Sequence, residues 1–218
     1  MTFIERNSRR TRWFHAGVYV AVLVLLATGW WLALGREGRP SPLARVTGLA
    51  DTTVHLWVGW GLAALAGLAV TVGVRAAGTF LAESVRFRRG DGRWFVRWPA
   101  AVWTGRFPPH DGHFDPGQRI ANLVLTVCLV VLVASGVGLA FVDGGPGFVL
   151  LRQVHRWATF VLTPVIAGHV VIASGILPGY RGVARAMHGG RLRVETARRL
   201  WPGWLRRSGH AEQTRYPG

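Results

Sequence analysis

The chain has 218 residues, half of them apolar, yet its formal net charge at pH 7 is +16. All 26 of its cationic side chains are arginine, and it contains one cysteine. A chain so apolar and so basic needs two solvents, which excludes an ordinary soluble domain, and a lone cysteine excludes a disulfide framework.

The N-terminal arm carries Arg6, Arg9, Arg10 and Arg12 and leads into a first apolar run over 13–34. A secretory leader also has a basic arm and an apolar run. This run is longer than the usual leader and lacks a small-x-small cleavage site after Leu34, so it reads as a helix. Ser8-Arg9-Arg10 faintly resembles a twin-arginine export signal, but an arginine cluster before a first helix is the ordinary topogenic signal. A second run covers 50–74, a third 120–142 and a fourth 149–177. Each reaches the ~20 apolar residues that cross a hydrocarbon core. The segment over 76–118 interleaves Trp94, Phe95, Trp98, Trp103 and Phe107 with arginines, a composition that favours the headgroup layer and predicts short surface helices ending at Phe107-Pro108-Pro109. A basic tail occupies 178–218, and no internal repeat is evident.

Arginine placement orients these spans. Twenty-one arginines fall on the arm, the segment between runs two and three, and the tail, whereas Arg36, Arg39, Arg45, Arg152 and Arg156 fall on the other side. The positive-inside rule then makes both termini cytoplasmic, in a bacterial cell membrane. The expected fold class is all-α: a single integral membrane domain over 1–218, a four-helix bundle with short cytoplasmic interfacial helices and a basic C-terminal tail. Nucleic acid is set aside as a partner, because the arginines sit in membrane-flanking segments beside interfacial tryptophans; lipid headgroups suit them better.

Four histidines lie inside or at the ends of the four runs, and their depths pair them. With the arm cytoplasmic, His15 and His169 are both near the inner surface, and His55 and His155 near the outer one. His155 and His169 are fourteen residues apart, about 21 Å along a helix and within about 40° of the same face. One helix therefore offers an imidazole to each of two centres stacked across the membrane. Intramembrane ionisable residues are costly and usually functional. The alternative for any one histidine is a bond to a neighbouring carbonyl or hydroxyl. Two imidazoles per site suit the axial positions of haem b, whereas zinc and non-haem iron sites recruit three or four protein ligands. A covalent c-type haem is excluded, since Cys128 has no C-x-x-C-H around it and reads as a packing residue. His110, His113, His188 and His210 read as solvated or interfacial. Arg12, Arg119, Arg152 and Arg156 are candidates for haem propionates, which arginine binds in bidentate fashion, or else for lipid headgroups.

The chain resembles the cytochrome b (gamma) subunits of membrane-bound respiratory formate dehydrogenases, among the di-haem cytochrome b anchors. The resemblance rests on Arg9-x-x-Arg12-x-x-His15, on His55, His155 and His169, and on Pro108-Pro109-x-x-Gly112-x-Phe114-Asp115-x-Gly117-Gln118-Arg119. In the tail it rests on Arg185-Ala186-Met187-x-Gly189-x-x-Arg193-Val194 with Ala197 and Pro202-x-Trp204. It implies two haem b groups, one held by His55 and His155 and one by His15 and His169. It also implies outer-face partners, an iron–sulfur subunit and a molybdenum or tungsten catalytic subunit, and a quinone (menaquinone or ubiquinone) bound by Asp115, Gly117 and Gln118. The family has asparagine where Asp115 stands, and a carboxylate can carry a proton where an amide only hydrogen-bonds. Asp115 before Pro116 is equally a helix cap. The family tail's paired histidines are absent around Leu200 and Trp201.

No residue is assigned a substrate-transforming role, since the chain has no dinucleotide fingerprint and no cluster-binding cysteines. Two other readings stay open: the cytochrome b of a nickel–iron hydrogenase or another molybdoenzyme, and, in a different class, a metal transporter or haem-free membrane anchor.

Overall fold

The computed structural model describes residues 2–35 and 38–208, so Arg36 and His210 lie outside the described residues. In chain order it contains β1 (Phe3–Glu5), α1 (Arg9–Ala33), α2 (Pro42–Thr47), α3 (Asp51–Thr71), α4 (Val74–Ser84), α5 (Asp91–Thr104), α6 (Pro116–Phe141), α7 (Gly145–Ser174), α8 (Arg185–His188), β2 (Arg191–Arg193), α9 (Val194–Leu200) and α10 (Pro202–Arg207). The fold is all-α apart from one two-stranded ribbon.

Four helices, α1, α3, α6 and α7, are long and apolar enough to cross a membrane. Only 6 to 11% of the residues in their most apolar windows are buried by protein. Val127, Val130, Val161 and Trp157 are all at least half exposed. Side chains of this kind need a second apolar solvent, and lipid supplies it.

Local chemistry sets the helix ends. Ser8 starts α1 by accepting the Thr11 N–H at 3.2 Å. Ser41 caps α2 by accepting the Ala44 N–H, with Pro42 in the first turn and Gly48 closing it at φ 71°. Asp115 accepts the Gln118 N–H at 2.8 Å and Pro116 follows, so α6 begins four residues before the apolar run predicts. The second span stops at Thr71, and the chain turns into α4. α5 ends at Thr104 rather than at the Phe107-Pro108-Pro109 stretch, because Gly105 takes φ 71° there.

The chain divides into two compact units. The first, Trp13–Ala77 with Leu125–Pro164, is a four-helix bundle. α1 meets α3 where Gly17 faces Leu65, and α3 meets α6 where Trp60 and Phe141 pack edge-on at 6.0 Å between centroids. α6 meets α7 where Gly138 faces Leu151, and α7 closes the ring onto α1 with Phe160 against Trp30 at 5.2 Å. At one end, the Asp51 carboxylate accepts both the backbone N–H and the hydroxyl of Ser41, tying α2 to the first turn of α3.

The second unit comprises Met1–Arg12, Gly78–Val124 and Val165–Gly218. Strands β1 and β2 pair antiparallel, with Ile4 opposite Leu192, both buried. These two join Val102, Tyr180, Val194, Leu200, Trp201 and Leu205 in one apolar core. Residues 178–208 of the basic tail are therefore folded, and the arm is their partner. Arg6 sits between two tryptophan rings, 4.8 Å from Trp201 and 4.3 Å from Trp204, and donates to the His113 carbonyl at 2.9 Å. Burial holds its guanidinium at a pKa of about 9.

Arg119 anchors the segment before α6. Its side chain is 1% exposed and forms an ion pair with Asp91 at 2.9 Å. The same guanidinium donates to the carbonyls of Phe114, Arg86 and Asp111. This corrects the propionate assignment for Arg119, because all three of its nitrogens are already committed to the fold. Replacing it by methionine keeps the length but strands the Asp91 carboxylate, so Arg119→Met should cost about 3–5 kcal/mol. The exposed Arg106→Ala control should stay within about 0.5 kcal/mol. Denaturant unfolding in detergent measures both, and equal midpoints would show that Arg119 carries no such role.

Candidate haem and quinone sites

Two of the four intramembrane histidines face each other within the bundle unit. The rings of His55 on α3 and His155 on α7 are 6.2 Å apart between centroids, with planes at 72°. They border a cavity of about 490 Å³ lined mainly by leucine, valine and tryptophan side chains and by glycine backbone, from all four helices. That size and lining are those of a small-molecule or cofactor site.

Each ring is held by a hydroxyl. Thr28 Oγ1 lies 2.8 Å from His55 Nδ1, and Ser135 Oγ lies 2.9 Å from His155 Nδ1. The hydroxyls also donate within their own helices, Thr28 to the Val24 carbonyl at 2.8 Å and Ser135 to the Val131 carbonyl at 2.6 Å. A hydroxyl has one hydrogen. Once that hydrogen goes to a carbonyl, the oxygen accepts, and the imidazole must supply the proton from Nδ1. Nε2 is then left with a lone pair for a metal.

The residue after each hydroxyl is glycine. A Cβ on Gly29 would stand 3.2 Å from His55 Cε1, and one on Gly136 would stand 3.3 Å from His155 Cε1. Both are tighter than ordinary van der Waals contact, so a side chain at either place would push its ring.

These residues fit a haem b. A metal bonded to two imidazole nitrogens at about 2.0–2.1 Å, each about 1.1 Å from its ring centre, puts the centroids a little over 6 Å apart. Among the described residues no three His, Cys, Asp or Glu side chains converge on one point, so the donor set is two imidazoles. Arg152 and Arg156 border the same cavity, where a tetrapyrrole would present its carboxylates. Arg156 also stacks over Phe160 at 5.3 Å.

The other candidate residues are placed as follows. His15, exposed on α1, belongs to the bundle unit, and His169, half-buried on α7, to the other unit. The Arg12 guanidinium donates to the His188 carbonyl at 2.8 Å, within the arm and tail. Asp115, Gly117 and Gln118 share one turn at the start of α6. Gln118 Oε1 accepts from the Trp201 indole at 3.0 Å, and a Cβ on Gly117 would strike Trp94 at 2.8 Å. Asp115 is buried, and burial pushes its carboxyl above the usual carboxylate range. The bond from the Gln118 N–H and the neighbouring His110 and Arg119 pull the other way.

His110, read as solvated or interfacial, is instead buried, with Nε2 2.8 Å from the Leu200 carbonyl. Sequence reasoning passed over Thr28 and Ser135, and it read Trp94 only as an interfacial aromatic and Trp201 only as a tail position. The signal for the first two was the hydroxyl–glycine pair, Thr28-Gly29 and Ser135-Gly136, on two separate apolar runs.

No curated protein matches this chain. The family model described as prokaryotic cytochrome b561 matches residues 6–190, most of the chain. With four apolar helices and two facing imidazoles already placed, the chain belongs to the prokaryotic cytochrome b561 family, membrane haem b proteins of electron transfer.

Proposed function

We propose that the chain is the di-haem b, quinone-reactive membrane subunit of an oxidoreductase of the formate dehydrogenase type. The observation that carries this reading is the His55–His155 pair, two imidazoles at axial spacing with hydroxyl-held Nδ1 atoms beside a tetrapyrrole-sized cavity. His15 and His169 are the second pair, from the depth match in the sequence. Haem b bound at each site supplies a one-electron carrier, and two carriers at two depths make a wire across the membrane.

The chain's own residues do the rest. Arg156 and Arg152 neutralise carboxylates at the first site, and Arg12 does so at the second. The arginine bias puts both termini in the cytoplasm, with His55 and His155 toward the outer face. On that face an iron–sulfur subunit and a molybdenum or tungsten catalytic subunit exchange electrons with the chain. Co-purification from native membranes tests the partner: an iron–sulfur protein with a pterin-type catalytic subunit is expected, and a nickel–iron hydrogenase would replace the formate dehydrogenase assignment.

Haem content tests the ligands. Extraction from wild type should give two haems per chain, and His155→Ala and His169→Ala should each give one. Two haems in both variants would overturn the assignment, and no stoichiometric haem b in wild type would leave a transporter or a bare anchor.

The quinone belongs at the Asp115–Gln118 turn. Quinone reduction takes up protons, and a carboxyl whose pKa is raised by burial holds its proton to a higher pH than an exposed one. The sign follows: proton supply by Asp115 is present below its folded pKa and is lost as pH rises through that value. Fold stability moves the same way, greatest with the carboxyl protonated and declining as pH climbs from the unfolded value through the folded one. Asp115→Asn keeps the cap and removes the titration. Quinone-reduction rates measured across pH, with haem content checked, should lose their alkaline decline in this variant; an unaltered profile would leave Asp115 as a helix cap alone.

A further inference from the structure

Resting on the reading that His55 and His155 are axial ligands of one haem b, we infer that Thr28 and Ser135 are positioning residues. They fix both imidazoles in one tautomer and set the basicity of both ligands together. The observation is a device that occurs twice. A hydroxyl on α1 serves the histidine of α3, and a hydroxyl on α6 serves the histidine of α7, at 2.8 and 2.9 Å from Nδ1. In each case the hydroxyl hydrogen is engaged four residues back along its own helix, by Val24 and by Val131.

Burial makes the arrangement hard to replace. Thr28 is 1% exposed and Ser135 is 3% exposed. An imidazole that turned away from either would give up that bond and leave a buried hydroxyl oxygen without its donor. The ring is hemmed in as well, since a Cβ on Gly29 or Gly136 would stand 3.2 or 3.3 Å from Cε1 and the ring would have to shift by a few tenths of an ångström to admit it. Ring orientation and proton position are therefore both determined from outside the metal site.

The acceptor also tunes the ligand. A group that accepts the Nδ1 proton pushes electron density through the ring to Nε2 and strengthens it as a donor. A stronger donor favours the oxidised metal and lowers the potential. A neutral hydroxyl does this less than a carboxylate would, so a matched pair of hydroxyls holds the site between the extremes of a bare imidazole and a carboxylate-backed one. Because both sides use the same chemistry, loss of either should move the potential in one direction.

The test uses the full chain purified with its haem. Thr28→Val and Ser135→Ala remove the acceptors with little change of volume, and Thr28→Ser and Ser135→Thr keep them. Redox titration followed in the haem α-band should show the midpoint of one haem raised in Thr28→Val and in Ser135→Ala, while the other haem titrates as in wild type. Haem transfer to apomyoglobin should show that same haem held about 10- to 100-fold less tightly. Thr28→Ser and Ser135→Thr should restore both properties. Unchanged potentials and retention in Thr28→Val and Ser135→Ala would overturn the inference, and so would a loss of haem that the conservative variants fail to restore. Failure of the underlying reading registers elsewhere, as a wild type without haem b or a His155→Ala variant that keeps its full complement.

Discussion

An imidazole has two nitrogens and, when neutral, one proton, so whatever the first nitrogen bonds decides what the second can do. In this chain the first nitrogen of His55 and of His155 is met by a hydroxyl that has already given its hydrogen to a helix carbonyl. That pairing depends on how the helices of the bundle unit pack. α1 has to lie against α3 closely enough for Thr28 to reach His55, and α6 has to lie likewise against α7. Glycines at Gly17, Gly29, Gly136 and Gly138 lie at these two interfaces. With little net hydrophobic drive between helices in lipid, small residues and buried polar bonds are what hold such a bundle together.

The other unit is built on a different constraint, the need to neutralise arginine where water is excluded. Arg119 solves it with Asp91 and three carbonyls. Arg6 solves it with two tryptophan faces and one carbonyl. Both cations reach across long stretches of sequence, and together with the Ile4–Leu192 pairing they bind arm, loop and tail into one core. The turn from Asp115 to Gln118 inherits its shape from this core, since Trp94 covers Gly117 and Trp201 bonds Gln118.

The parts legible in the sequence are those with a long period or a costly residue. Four apolar runs announce four helices, and a histidine inside such a run stands out because burying it demands a reason. Helix ends were less legible. Asp115-Pro116 is a readable start signal, yet the apolar run begins only at Ile120, and hydropathy set the boundary there. The tail was illegible, because helices of four to seven residues and strands of three carry too little periodicity to separate them from a basic linker. Arg119 and His110 were misread for one reason. Arg119 was offered to propionates or lipid headgroups and His110 to water or the interface, because the partners that bury them lie up to 90 residues away.

The hydroxyls give each ligand of this membrane site a second helix. Here the helix that carries each histidine does not hold its Nδ1, which is met instead by a hydroxyl from a neighbouring helix. Consecutive residues on that neighbouring helix supply an acceptor and a gap. Thr28 and Gly29 present these to the Nδ1–Cε1 edge of His55, and Ser135 and Gly136 to the same edge of His155. Both rings border the same cavity. In this bundle two helices carry the imidazoles, the other two supply a hydroxyl to each, and all four line the cavity that both rings border.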